Sequence, residues 1–203
     1  MQVALPEQQV PARIVYDTAG GVSQEDYLAF CRANPNLRCE RTSEGEIVIA
    51  PPVGLESSYR NERLTVQLGN WAQKDGRGKA FDSSAEFLLA DGSAYGPDAA
   101  WVSHESLRKL SREQRKEFPR LCPEFVVEVM SPSDRLKSAK EKMERWIANG
   151  CKLGWLIDPD QQIVYVYRPR RSVKVCRAVQ ELAGEGPVQG FILDLRPIWA
   201  GLG

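Results

Sequence analysis

The sequence predicts a mixed α/β protein, one β-sheet flanked by helices, with a helix and hairpin added at its N-terminal side. Three observations carry this. Short runs rich in β-branched and aromatic residues alternate with turn signals along most of the chain. Two long amphipathic segments, closing at Asp75-Gly76 and Asn149-Gly150, interrupt them. One run, Glu124–Met130 (EFVVEVM), has the continuous apolar character of a strand covered on both faces. A chain of 203 residues suits one domain and buries roughly 70% of its unfolded surface.

Residues 1–22 are punctuated by Pro and Gly and read as an extended arm, leaving 23–203 as the domain. Ser23 precedes Glu25, Asp26, Tyr27, Leu28 and Phe30, an N-cap with acids in the first turn of a short helix that ends before Pro35. Leu37–Arg41 and Glu46–Ala50 form a hairpin about Ser43-Glu44-Gly45. Ser57 or Ser58 is expected to cap the next helix, which runs to about Lys74; Leu64, Leu68 and Trp71 share its apolar face, flanked by Asn61 and Ala72. KAFD, EFLL and DAAWVS then read as strands between Gly78 and Ser103, followed by a polar helix over Glu105–Phe118. After the EFVVEVM strand, Ser131-Pro132-Ser133 opens a helix over Asp134–Ala148. Leu153–Ile157, Ile163–Tyr167, Val173–Val175 and Phe191–Leu193 complete the strands, with a turn at Pro159-Asp160.

Composition excludes several chemistries. The single histidine, His104, rules out two-histidine zinc helices and Cys/His fingers. A Ser-His-Asp device would have to run through it, and no Gly-x-Ser-x-Gly elbow is present. No Gly-x-x-x-x-Gly-Lys-Ser/Thr phosphate loop occurs, which argues against nucleotide binding of that kind; no organic cofactor is expected. The five cysteines are odd in number and never spaced C-x-x-C, which reads as reduced thiols in a cytoplasmic protein. No apolar run approaches a membrane span, and the first twenty residues lack a secretory pattern.

Two acids stand out by context. Asp98 follows Gly96-Pro97 and opens an apolar strand; Glu128 lies within EFVVEVM, where an unpaired carboxylate is costly. Alternation puts Glu128 on the face of Val126 and Met130, close to a strand end, where α/β sheets place their ligands. A salt-bridged core acid is the structural alternative for Glu128, and a turn-to-strand residue for Asp98. The helix that follows carries an apolar stripe of Leu136, Ala139, Met143, Trp146 and Ile147, with Lys140 and Lys142 on its opposite flanks. Either lysine could reach a strand-end carboxylate along a packed stem or be a solvated helix charge; periodicity does not choose between them.

The run PEFVVEVMSPSDRLKSAKEKMERWIANGCKLGWLIDP (Pro123–Pro159), preceded by GPDAAWVS (Gly96–Ser103), resembles the Uma-type family of restriction-endonuclease-like proteins, abundant in cyanobacteria and part of the PD-(D/E)XK nuclease superfamily. The resemblance extends from about Ser23 to Ile198 and implies a restriction-endonuclease-like mixed sheet. It implies that Asp98 and Glu128 are catalytic acids that hold Mg²⁺, with Mn²⁺ as a substitute. It also favours Lys142 over Lys140, through Glu141-Lys142-Met143-Glu144. The wider superfamily places its lysine two residues after the second acid, where this chain has Met130. Asn61 is the candidate accessory residue from the early helix, with Glu62 on another side.

These residue types suit phosphodiester hydrolysis in DNA. A hard ion takes oxygen ligands, here the two carboxylates and the backbone carbonyl of Val129. Lys142 would orient the attacking water or stabilise developing charge; a lysine's ordinary pKa of about 10.4, with two acids nearby, opposes a general-base role. Ser131 and Ser133 are expected to cap the helix, with phosphate binding there a secondary role. The balance of 27 basic and 27 acidic residues hides a local asymmetry. Residues 1–56 hold 4 bases and 8 acids, whereas 168–177 carry Arg168, Arg170, Arg171, Lys174 and Arg177 with no acid. That tract reads as a DNA-contacting surface or as a charged edge strand. A homodimer is expected, because cutting two strands calls for two sites. The competing reading is an inactive nuclease-fold module that binds nucleic acid or a partner, for which Met130 is the best support.

Overall fold

The computed structural model describes residues 14–16, 21–50 and 52–203. They fall into two compact units, one drawn from the segment up to Pro52 together with Gly92–Ala94, the other from Val53–Asp91 with Tyr95–Gly203. Most of the expected 1–22 arm lies outside the described residues; of it, Ile14–Tyr16 forms strand β1.

In the first unit Ser23 caps helix α1 (Gln24–Ala33), its Oγ accepting from the Asp26 amide at 3.1 Å. The expected hairpin is β2 (Arg38–Arg41) antiparallel to β3 (Ile47–Ala50), and β1 adds to β3. The buried Arg41 ties this unit together: Nε donates to Val22 O at 2.8 Å and Nη1 to Thr42 O at 3.2 Å and to Gly92 O.

The second unit is built on a six-stranded mixed sheet. Its elements are α2 (Leu55–Asp75), β4 (Gly78–Asp82), β5 (Phe87–Leu88), β6 (Ala94–Tyr95, of which Tyr95 belongs here), β7 (Ala99–Ser103) and α3 (His104–Arg108). They continue with β8 (Phe125–Val129), α4 (Leu136–Ala148), β9 (Leu153–Asp158), β10 (Ile163–Tyr167) and β11 (Lys174–Arg177). Two short strands, β12 (Glu181–Ala183) and β13 (Ile192–Asp194), pair separately, and α5 (Arg196–Ala200) follows. The sheet order is β11-β10-β9-β8-β7-β4. Only β8 and β9 are parallel within it, joined through α4 as a βαβ crossover.

Alternation sorts the strand residues into two cores. Val127, Val129, Trp155 and Ile157 meet Leu64 and Leu68 of α2 on one face. Val126, Leu156, Tyr165 and Tyr167 meet Met143 and Trp146 of α4 on the other. Full burial of a side chain such as Met143 stabilises by about 1.5–3 kcal/mol. A β-carbon at Gly154 would meet the flexible end of Met143, whose Cε would have to shift. α2 closes as expected at Gly76, whose φ of +71° favours a residue without a β-carbon.

Three sequence expectations are corrected. The N-cap of α2 is Gly54, not Ser57 or Ser58: the helix starts three to four residues earlier and Ser57 is buried within it. The polar helix expected over Glu105–Phe118 is only α3 and a 3₁₀ turn at Gln114–Lys116, because that segment has no apolar stripe to bury. Ser131 and Ser133 do not cap α4, whose N-cap is Arg135 without a side-chain bond. Instead the Ser131 amide and hydroxyl donate to Asp134 Oδ2 at 2.7 and 2.8 Å, and the two serine hydroxyls lie 3.0 Å apart, closing the preceding turn.

Candidate active site

The site lies at the C-terminal end of β8, where both layers and the neighbouring strand converge. Pairing of Ala99 with Val127 sets the register of β7 on β8 and would place Pro97 opposite Val129. β7 starts only at Ala99, so the Asp98 carboxylate meets the Val129 amide instead, Oδ2 accepting at 2.8 Å. Asp98 Oδ1 accepts from Asn61 Nδ2 at 2.8 Å, a donor supplied by α2 from the opposite layer. Because the N–H and C=O of one strand residue point to the same side, the Val129 carbonyl emerges on the Asp98 side of β8.

Glu128 points towards α4, as the alternation requires, with 12% of its side chain exposed. Its Oε1 is 3.0 Å from Lys142 Nζ and accepts from Trp146 Nε1 at 2.9 Å; its Oε2 accepts from Lys142 Nζ at 3.1 Å. Lys142 and Trp146 are one turn apart on α4, so both reach the same carboxylate. Lys142 Nζ also donates to Gly96 O at 3.0 Å and lies 5.7 Å from the centre of the Tyr95 ring. Lys140 turns away and sits 4.5 Å over the Tyr165 ring. Of the two lysines that periodicity left open, Lys142 is the one at Glu128.

Asn61 joins the group as well. Its Oδ1 is buried and has no hydrogen-bond partner among the described residues, an acceptor left over beside Asp98. Glu62 does not join; it is exposed and pairs with Arg63, whose hydrogen bond holds the carboxyl below its ordinary range. The basic tract is elsewhere. Val129 aligns with Ile157, whereas Tyr167 aligns with Gly154, so the turn carrying Arg168, Arg170 and Arg171 lies at the opposite end of the sheet. At ~3.3 Å per residue that separation is about 13 Å along the strands alone. Lys174 is on the edge strand β11, three strands from β8. Arg168 is also taken by Glu185, bonded through Nε and through Nη2 at 3.1 Å.

Sequence reasoning missed Trp146, which it assigned to the apolar stripe, and the Gly96 carbonyl. A buried tryptophan needs an acceptor for its indole N–H, and Glu128 was the acid on the facing strand surface. That signal was available. The Gly96 carbonyl carries no side-chain signature at all.

Two carboxylates and a lysine at a strand end of a mixed sheet place the chain among nuclease-like α/β folds. A crystal structure described as a putative nuclease belonging to DUF820, from Anabaena variabilis, shares the fold with a TM-score of 0.73 at 20% identity, covering 88% of this chain and 98% of that one. Residues 24–196 match the model of the Uma2 family, described as "Putative restriction endonuclease", and the chain belongs to that family. No functionally curated protein matches it. The match spans Asp98, Glu128 and Lys142.

Proposed function

We propose that the protein is a metal-dependent endonuclease that hydrolyses phosphodiester bonds in DNA, with Asp98 and Glu128 as ligands of Mg²⁺ or Mn²⁺. The observation that carries this reading is the coupling of the two acids: Asp98 is hydrogen-bonded to the amide of Val129, the residue after Glu128, while Glu128 is bonded to Lys142. The donors suit a hard ion. Among the described residues no group of three His, Cys, Asp or Glu could hold a metal, which disfavours zinc but fits Mg²⁺, bound by one or two carboxylates and completed by carbonyl, water and phosphate oxygens. The buried Asn61 Oδ1 would be available to accept a hydrogen bond from water held at the site, and the Val129 carbonyl would offer a further oxygen.

When bound, such an ion lowers the pKa of a coordinated water and offsets charge on the scissile phosphate. Asn61 orients the Asp98 carboxylate, and the Val129 amide fixes its second oxygen. Lys142, bonded to a carboxylate and a carbonyl, acts as a cation that steers water or offsets developing charge. Met130 does not leave the site without a lysine, because α4 brings one from the next element. A homodimer presenting two such sites is the assembly that fits cleavage of both strands.

The test is nicking of supercoiled plasmid with Mg²⁺ or Mn²⁺. Wild type nicks, and Asp98→Ala, Glu128→Ala and Lys142→Ala each lose at least ~100-fold. Equal cleavage by all four proteins would assign the activity to another site and overturn the reading.

A further inference from the structure

Glu128 is already occupied by a cation. The Lys142 ammonium lies 3.0 Å from one carboxylate oxygen and 3.1 Å from the other, so it spans both of the oxygens that Glu128 could offer to an ion. The side chains are only 22% and 12% exposed, so the pair sits where water screens it weakly. A divalent ion and an ammonium on the same two oxygens repel each other strongly at that depth. The lysine stem is unbranched and flexible, and its ammonium has a second anchor 3.0 Å away at Gly96 O.

We propose that Lys142 is the resident counter-ion of this site: it holds the metal face of Glu128 in the ion-free protein, and Glu128 exchanges it for a divalent ion. The proposal rests on Glu128 being a metal ligand. Metal loading is then a competition between an internal and an external cation. Removing the lysine tightens metal binding while it removes activity, the opposite of what loss of a supporting residue does. Lys140 is the built-in control. It carries the same charge on the same helix, but its ammonium faces the Tyr165 ring.

The experiment titrates Mn²⁺ into the full chain, with free ion followed by electron paramagnetic resonance, and compares wild type with Lys142→Met, Lys140→Met, Glu128→Gln and the double variant Lys142→Met with Glu128→Gln. Methionine keeps the unbranched stem in place. Lys142→Met binds Mn²⁺ ~10-fold tighter or more, Lys140→Met stays within about twofold, and Glu128→Gln weakens binding and cancels the gain of Lys142→Met. A second readout needs no lysine variant. The Trp146 indole N–H donates to Glu128 Oε1, so its ¹H–¹⁵N resonance moves when Mg²⁺ is added to the wild type. Unchanged or weaker Mn²⁺ binding by a folded Lys142→Met, with Glu128→Gln still impaired, overturns the counter-ion and leaves the metal site standing. Wild type and Glu128→Gln that bind no Mn²⁺, with a stationary Trp146 resonance, overturn both.

Discussion

Glu124 and Glu128 stand four residues apart at the two ends of one strand segment, on the same face, and live in opposite electrostatic surroundings. Glu124, 7% exposed, accepts from the Ser103 amide at 3.1 Å and from the Ser103 and Ser106 hydroxyls at 2.7 Å each. Ser103 is the N-cap of α3, so the carboxylate braces the positive end of that helix through neutral donors. Glu128 instead faces an ammonium and an indole, next to a second acid tied to the following amide. Burial alone therefore does not mark a functional acid. What separates them is the partner: neutral local donors hold Glu124, whereas Glu128 is held by a flexible cation, the arrangement on which the proposed exchange for a metal ion depends.

The sharpest way to break this contrast is to remove each acid in turn. Glu124→Ala leaves one amide and two hydroxyls without their acceptor and is expected to cost about 3 kcal/mol in a urea titration, with cleavage per folded molecule unchanged. Glu128→Ala is expected to show the reverse, a loss of activity of at least ~100-fold with the smaller change in stability. A Glu124→Ala protein that stays stable but stops cleaving would erase the distinction.

Trp146 and Trp155 give a smaller test of the same idea. Both indoles are fully buried, but Trp146 donates to Glu128 Oε1 while Trp155 Nε1 has no hydrogen-bond partner among the described residues. Tryptophan-to-phenylalanine removes the N–H and leaves a small cavity in each case. Trp146→Phe should cost ~1–2 kcal/mol more than Trp155→Phe, because only there is a buried carboxylate deprived of a donor. It should also reduce cleavage by about tenfold, through the freed orientation of Glu128. Equal costs and equal activities would show that the indole N–H does not hold the carboxylate.

How much of this was legible in the chain follows from which forces are local. The strands Ile163–Tyr167 and Phe125–Val129, the Ser23 cap and the Gly76 stop were readable because alternation, capping and positive φ are written in neighbouring residues. The α4 stripe was readable, but its two flanking lysines were not separable. Which one meets Glu128 depends on how α4 sits on β8, a tertiary fact that the family resemblance supplied and periodicity could not. The Ser57, Ser131 and Ser133 caps failed for a related reason: several short polar residues near a helix start compete, and the register is decided by packing. The basic tract looked like part of the site in one dimension. Only the β9–β10 register shows that its turn lies at the far end of the sheet.

That far end holds another acid–cation pair, and it supplies the smallest prediction. Arg168 beside Glu185 holds the Glu185 carboxyl below its ordinary range, yet 45% of the Glu185 side chain is exposed, so water screens most of the gain. A carboxyl with a depressed folded-state pKa stabilises above its unfolded value, near pH 4.5, and loses that contribution as pH falls through the folded value. Arg168→Ala should therefore lower stability by less than ~1 kcal/mol at pH 7, and the difference should fade on acidification below about pH 4. Plasmid cleavage should be unchanged, since the pair is at the opposite end of the sheet from Glu128. A fall in cleavage matching that of Lys142→Ala would mean that this turn engages the substrate, and that an exposed carboxylate–cation pair can matter here as much as a half-buried one.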